Sequence, residues 1–286
     1  MNAYYRQPAI YKDQVVFIAE DDLWTFSLKD EVARRLTANL GMIRNPQFSP
    51  DGKQIAFTST EEGTSEIYIM PSEGGEAKRL TYLGAYLYTL GWKGSKIIFA
   101  SSHSSFLRGY YKLYEIDREG GASVELPYGR ASDISFGEKG VVLGRNTGNP
   151  ARWKRYRGGT AGYFLIDKNG DGKFKKLINL NGNFACPMWI GNRIYFICDH
   201  EGIGNIYSCT PEGKDLQKHS NHQDYYARGA YSDGKTIIWH SGAELWLMDV
   251  KENKPRKLSF AYSSPMVQRQ RKFVSPPKNL ENVFLS

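Results

Sequence analysis

Between Asn45 and Thr81 the chain alternates short apolar runs with turns. One run ends at Phe48. Gln54-Ile55-Ala56-Phe57-Thr58 and Glu66-Ile67-Tyr68-Ile69-Met70 follow, and Ala77-Lys78-Arg79-Leu80-Thr81 closes the unit. These runs are too short for helices and are bounded by turn residues, which marks them as strands. In Ser49-Pro50-Asp51-Gly52, proline presets the second turn position, aspartate can bond its own backbone and glycine tolerates the exit. Gly74-Gly75 makes a second turn. A strand-turn-strand-loop-strand-turn-strand unit of about 40 residues is one blade of a β-propeller.

The unit recurs. Blade 1 reads Ala9–Tyr11, Val15–Ile18, Leu23–Phe26 and Arg34–Thr37. Blade 3 reads Leu90–Trp92, Lys96–Phe99, Lys112–Ile116 and Val124–Leu126. Blade 4 reads Ile134–Phe136, Val141–Leu143, Tyr163–Ile166 and Phe174–Leu177. Blade 5 reads Pro187–Trp189, Arg193–Phe196, Asn205–Tyr207 and Leu216–His219. Blade 6 reads Gly229–Tyr231, Thr236–Trp239, Leu245–Met248 and Pro255–Leu258. An aromatic ends every inner strand: Tyr11, Phe48, Trp92, Phe136, Trp189 and Tyr231. Helical periodicity is nearly absent. The fold expected is all-β, a six-bladed propeller of four-stranded antiparallel blades over residues 8–260. Blades 1 and 6 each supply four strands, so side-chain packing without strand exchange is expected to close the ring. Residues 261–286 read as a linker and the start of a second propeller, with Asn279–Ser286 resembling another inner strand. The inner-strand position of Asn45 has counterparts at Thr89, Asp133, Cys186 and Arg228, which are expected near a central channel.

Composition agrees with this picture. Aromatics make up 14% of the 286 residues and there are 29 glycines, as suits a turn-rich β domain. The formal charge of +8 reads as a solubility feature, not a nucleic-acid footprint. Cys186, Cys198 and Cys209 are too few and too widely spaced for a disulfide framework or a zinc knuckle, and indicate a reducing, cytoplasmic setting. No secretory signal or membrane-spanning run is apparent.

Few motifs carry chemistry. Asp167-Lys168-Asn169-Gly170-Asp171-Gly172 resembles the start of a calcium loop, but Ile178 stands where the closing glutamate belongs, so a tight hairpin is expected. Arg152 to Thr160 is the most basic run, with Trp153 and Tyr156 interleaved. Arg155 and Arg157 in it are candidates for a peptide carboxylate, an anionic partner or an inter-domain contact, against an ordered surface loop. His219 and His222 are weak metal candidates in a β-rich setting. No nucleophile elbow or phosphate loop occurs, so no catalytic residue, metal or cofactor is assigned.

Phe48-Ser49-Pro50-Asp51-Gly52-Lys53 with Ile67-Tyr68 resembles TolB-like, tricorn-like and prolyl-oligopeptidase propellers. Asp21-Asp22-Leu23-Trp24, Tyr156-Arg157-Gly158-Gly159-Thr160, Arg193–Phe196, Gly202–Ser208, Gly213–His219 and Asp224-Tyr225-Tyr226 narrow this. They resemble the N-terminal six-bladed propeller of the tricorn protease family, over residues 8–260. That resemblance implies a large, cytosolic, homo-oligomeric serine peptidase that trims peptides. Its nucleophile and base would lie beyond this chain. The six-bladed propeller is implied to gate peptide passage or product exit and to dock the remaining domains and partner aminopeptidases. The chain alone is expected to hydrolyse no peptide. The alternative is a free-standing TolB-like propeller that scaffolds partner proteins.

Overall fold

The computed structural model describes residues 3–266 apart from Asn39, Arg108, Pro150, Arg152 and Trp153, together with Ser275 and Pro277. The expected strand in the C-terminal tail lies outside the described residues. Six four-stranded antiparallel sheets follow one another along the chain. In each, strands A to D run from the ring axis outward. Blade 1 comprises Arg6–Tyr11, Gln14–Ala19, Asp22–Ser27 and Arg34–Arg35, and blade 2 Ile43–Phe48, Gln54–Ser59, Glu66–Pro71 and Lys78–Arg79. Blade 3 comprises Leu87–Lys93, Lys96–Ser101, Lys112–Asp117 and Val124–Arg130, and blade 4 Asp133–Phe136, Val141–Arg145, Tyr163–Asp167 and Lys175–Lys176. Blade 5 comprises Phe184–Ile190, Arg193–Cys198, Asn205–Cys209 and Gln217–Lys218, and blade 6 Arg228–Ser232, Thr236–Ser241, Glu244–Asp249 and Arg256–Lys257.

The B strands explain the ring. They read as continuous apolar runs because both faces are buried. In blade 1, Val15, Phe17 and Ala19 face blade 6, where they meet Ile238 and Leu245. The alternate residues Val16 and Ile18 face blade 2 and meet Ile55 and Phe57. In blade 5, Ile194, Phe196 and Cys198 face blade 4, while Tyr195 and Ile197 face blade 6. The period of two therefore divides each blade between two neighbours. The core is six clusters, each set between adjacent blades.

Outer strands are short, two residues in every blade but the third. A hydroxyl just beyond the D strand ties down three of them. Thr37 Oγ1 accepts from Leu23 N–H at 3.0 Å and donates to Asp22 at 2.8 Å. Thr81 accepts from Ile67 N–H at 2.9 Å and donates to Glu66 at 2.5 Å. Ser220 repeats the arrangement with Ile206 N–H and Asn205. Asp22 and Glu66 are buried and pair with Arg35 and Arg79, the D-strand arginines.

Blades 1 and 6 close without strand exchange, each keeping its own four strands. An aromatic cluster fills the seam: Phe26 stacks on Phe260 at 4.3 Å between centroids, and Tyr5 packs on Phe17, Phe260 and Tyr262. Side chains do not act alone. Tyr5 N–H donates to Ala243 O at 3.3 Å, Ala33 N–H to Ala261 O at 2.8 Å, and Ala261 N–H to Glu31 O at 2.7 Å. A parallel bridge joins Val32 and Ala261.

Replacing Thr81 with valine keeps the shape and deletes the hydroxyl, leaving Ile67 N–H and a buried Glu66 oxygen unpaired. The expected loss is about 1–3 kcal/mol, read as a lower denaturant midpoint at unchanged slope.

Candidate functional site

The A strands converge on the axis and enclose a cavity of about 450 Å³, lined from all six blades. Four of these strands carry a bulge at matching positions. Gln7-Pro8 opposes Phe17, Asn45-Pro46 opposes Phe57, Cys186-Pro187 opposes Phe196, and Gly229-Ala230 opposes Trp239. The first residue of each pair has positive φ, between 47° and 55°. In three pairs the second is proline, which has no N–H for the broken ladder to leave unpaired. The bulge interrupts the alternation that identifies a strand. This is why strands A of blades 1, 2 and 5 begin upstream of the runs legible in the sequence.

The bulge layer is stitched from blade to blade. Asn45 N–H of blade 2 donates to Gln7 Oε1 of blade 1 at 3.2 Å. The Thr58 and Thr89 hydroxyls meet at 3.1 Å between blades 2 and 3. Tyr88 OH of blade 3 donates to Ser132 O at 2.9 Å, just ahead of blade 4. The Asp133 carboxyl of blade 4 faces Cys186 N–H of blade 5, and the Cys186 sulfur faces Gly229 and Ala230 N–H of blade 6. Gln7 N–H returns to His240 Nδ1 of blade 6 at 3.3 Å. Polar contacts thus cross every seam around the bore.

At the opposite end of the A strands stand the six recurring aromatics, all lining the cavity. Tyr11 lies across Gly52 and Trp189 across Gly137, so closely that a Cβ at either glycine would sit 2.1 Å or 2.5 Å from the ring. Trp92 Nε1–H donates to Gln47 O at 3.1 Å, and Ser135 Oγ accepts from Trp189 N–H at 2.8 Å. The sequence showed these aromatics as a repeat signal; their joint position makes them an aromatic collar. Gln7, Ser135 and His240 gave no comparable signal, because each acts through a partner on another blade.

Of the sequence-selected residues, Asn45, Thr89, Asp133 and Cys186 line the cavity. Arg228 stands one residue before the lining Gly229, and its guanidinium donates to Asn149 Oδ1 at 3.1 Å and Tyr4 OH at 3.0 Å. Arg155 and Arg157 lie away from the bore, on the loop between strands B and C of blade 4. Arg157 pairs with fully buried Asp199 at 3.2 Å, and Arg155 N–H donates to the same carboxylate at 3.2 Å. Asn183 and Tyr226 complete this knot. Arg157 is therefore a clasp between blades 4 and 5. Trp153 lies outside the described residues. In the calcium-like loop, the Asp167 carboxylate accepts from Gly170, Asp171 and Gly172 N–H, the bonding of a tight hairpin. His219 bonds Ser208 and Asn253, and His222 accepts from Trp239 Nε1–H.

Residues 2–254 match the family model of the tricorn protease N-terminal beta propeller domain. Tricorn protease homolog 1 of Streptomyces coelicolor is 39% identical over 275 residues, covering 94% of this chain and 26% of that protein. The tricorn protease homolog of Saccharolobus solfataricus is 36% identical over 283 residues, covering 96% of this chain and 26% of that protein. The crystal structure of the tricorn protease superposes with a TM-score of 0.86 at 33% identity, covering 93% of this chain and 27% of that one. The chain thus spans about a quarter of the length of these relatives.

Two buried groups of the bulge layer titrate abnormally. The Asp133 carboxyl keeps contact with the lumen but is ringed by protein. Lost hydration outweighs its bonds to Thr147 and Cys186 N–H and raises its pKa to about 7. Burial lowers His240 to about 3, helped by the Arg228 and Arg6 charges. The two act oppositely on stability. The folded chain holds the Asp133 proton more tightly than the unfolded chain, so stability falls as pH rises from about 4 to about 7. It resists protonation of His240, so stability falls as pH drops from about 6.5 to about 3. Asp133→Asn should leave stability at pH 4 nearly unchanged and raise it by about 1–3 kcal/mol at pH 8. Chemical denaturation of parent and variant across this range checks the outcome.

Proposed function

We propose, from the premise that this chain belongs to the tricorn protease N-terminal β-propeller family, that it is the non-catalytic propeller of a serine-type peptidase and that peptides pass through its bore. The nucleophile and base would be supplied by domains beyond this chain. Residues 8–260 form the propeller unit, and residues 261–286 lead towards a second one. The parent protein is read as a cytoplasmic homo-oligomer. One observation carries the reading: the axis is an open cavity lined by partly exposed aromatic rings and by main-chain groups at bulges. Such a wall can hold extended peptide by stacking and main-chain hydrogen bonding, with little demand on sequence.

A second surface supports docking of a partner domain or aminopeptidase. Tyr82, Tyr86, Phe106 and Leu107 are exposed on the loops flanking strands A and B of blade 3. Ser102 N–H bonds Tyr86 O at 3.1 Å and holds these loops side by side. Aromatic side chains with this exposure suit the buried centre of a protein interface. In a free-standing scaffold this surface would act while the bore stayed idle.

Gly91 separates the two readings. It lines the bore, and a Cβ there would meet nothing within 4 Å. Gly91→Phe should fill the lumen without unfolding the chain. Binding of tetra-alanine, followed through the collar tryptophans Trp92 and Trp189, is expected to weaken at least about tenfold. Undiminished binding with an unchanged far-UV spectrum would remove the bore from the function.

A further inference from the structure

We infer that the bore is built to hold the ammonium group of a short peptide at Asp133, with the peptide chain running out through the aromatic collar. This rests on the reading of the bore as a peptide passage and adds what that passage selects.

The first ground is charge. The chain carries 38 Lys and Arg against 30 Asp and Glu, yet among the described residues no Lys or Arg lines the cavity, whereas Asp133 and Asp233 do. A wall drawn at random from this surface would be basic. Asp233 is engaged at the rim, accepting from Lys12, Lys235 and Thr236 N–H. Asp133 is the acidic group of the bulge layer. Its bonds to Thr147 and to Cys186 N–H leave acceptor capacity, since a carboxylate offers about four lone-pair sites.

The second ground is the surroundings of that carboxyl. Three A strands carry arginine one position before the bulge layer: Arg6, Arg44 and Arg228. Arg6 is neutralised by Asp21, while among the described residues Arg228 holds the neutral partners Asn149 and Tyr4. Arg44 and Arg228 stand one position beyond the lining residues of their strands, so positive charge borders the cavity past Asp133, and that level is where an amino terminus stops. On the other side, Phe136 follows Asp133 by three residues, about 10 Å of extended strand. A peptide of three or more residues therefore reaches the collar. At that rim the exposed Lys93 and Lys12 lie over Phe136 and Tyr11 at 4.6 and 5.0 Å from the ring centroids, placed to receive a carboxylate. The arrangement matches an extended zwitterion, amino end inward.

Calorimetry on the full chain tests this with three peptides, all amidated at the carboxyl end. They are tetra-alanine with a free amino group, its N-acetyl counterpart, and an N-acetyl tetrapeptide with one lysine. The free amine should bind at least about tenfold more tightly than the acetyl peptide. Asp133→Asn should bring the free amine down to the acetyl level while its far-UV spectrum stays unchanged. The acetylation arm needs no variant, so the outcome does not depend on that variant folding. Recovery of tight binding by the lysine peptide would confirm ammonium recognition and assign the source to a side chain; failure to recover assigns it to the amino terminus. Equal affinity for free and acetylated tetra-alanine overturns this inference and leaves the peptide passage standing. Absence of binding by every peptide overturns the passage itself.

Discussion

A single sheet in this ring cannot bury itself. Each B strand is apolar on both faces, so every blade needs two neighbours, and the chain has two ends. The seam between blades 6 and 1 is the one place where that need is met without a covalent connection. Among the described residues it is also the largest apolar cluster, with twelve buried residues, against five between blades 3 and 4. Tyr5, Phe260 and Tyr262 lie outside the blade strands and exist in the fold as filling for that seam. At roughly 25 cal/mol per Å² of apolar surface, a few buried aromatics contribute several kcal/mol, enough to replace a shared strand. The bridge at Val32 and Ala261 sets the register of that contact, and packing supplies its strength.

Closure in turn fixes the bore. Once six A strands are held around one axis, their main-chain groups face one another, and a regular ladder would leave the inner wall flat. In four of the six strands a bulge sets one residue of positive φ beside the lumen at a common level. There they are bonded across seams instead of along the blade. Gln7, Thr89, Asp133, Cys186 and His240 thus serve the ring and line or border its channel at once. A substitution among them alters the wall and the closure together, whereas Gly91, with open space at its Cβ, alters the wall alone.

The blades were legible because their determinants are local. Apolar runs with period two, Pro-Asp-Gly and Gly-Gly turns, and the basic pair before Leu80 or Leu258 all fall within a few residues of chain. The register of Asn45, Thr89, Asp133 and Cys186 was legible for the same reason, since one counts from the collar aromatic back along the strand. Interactions across seams were not. Arg157 lies 42 residues from Asp199, and nothing in Tyr156-Arg157-Gly158 announces a buried carboxylate partner. Arg155 and Arg157 consequently read as candidates for a peptide carboxylate, an anionic partner or an inter-domain contact, against an ordered surface loop, although the Arg157 guanidinium and the Arg155 N–H fasten blade 4 to blade 5. The bulges left a trace that could have been read: Gln7-Pro8, Asn45-Pro46 and Cys186-Pro187 recur at one position in three blades. A proline inside an expected strand normally argues against the strand; repeated in register, it marks a bulge.

The charge pattern separates structural from functional pressure on the bore. A wall shaped only for closure would be indifferent to charge sign, and arginine joins neighbouring blades elsewhere, at Arg34 and Arg157. Neutral Gln and Thr side chains already stitch blades 1 to 3 at this level, so an amide or hydroxyl would serve between blades 4 and 5 as well. Asp133 instead keeps a carboxyl there at a cost in desolvation that closure does not require. Among the described residues that line the cavity, Asp133 and Asp233 are the charged ones, and Asp233 is held at the rim by three main-chain N–H groups, so the carboxyl at the bulge level stands apart from the neutral groups around it.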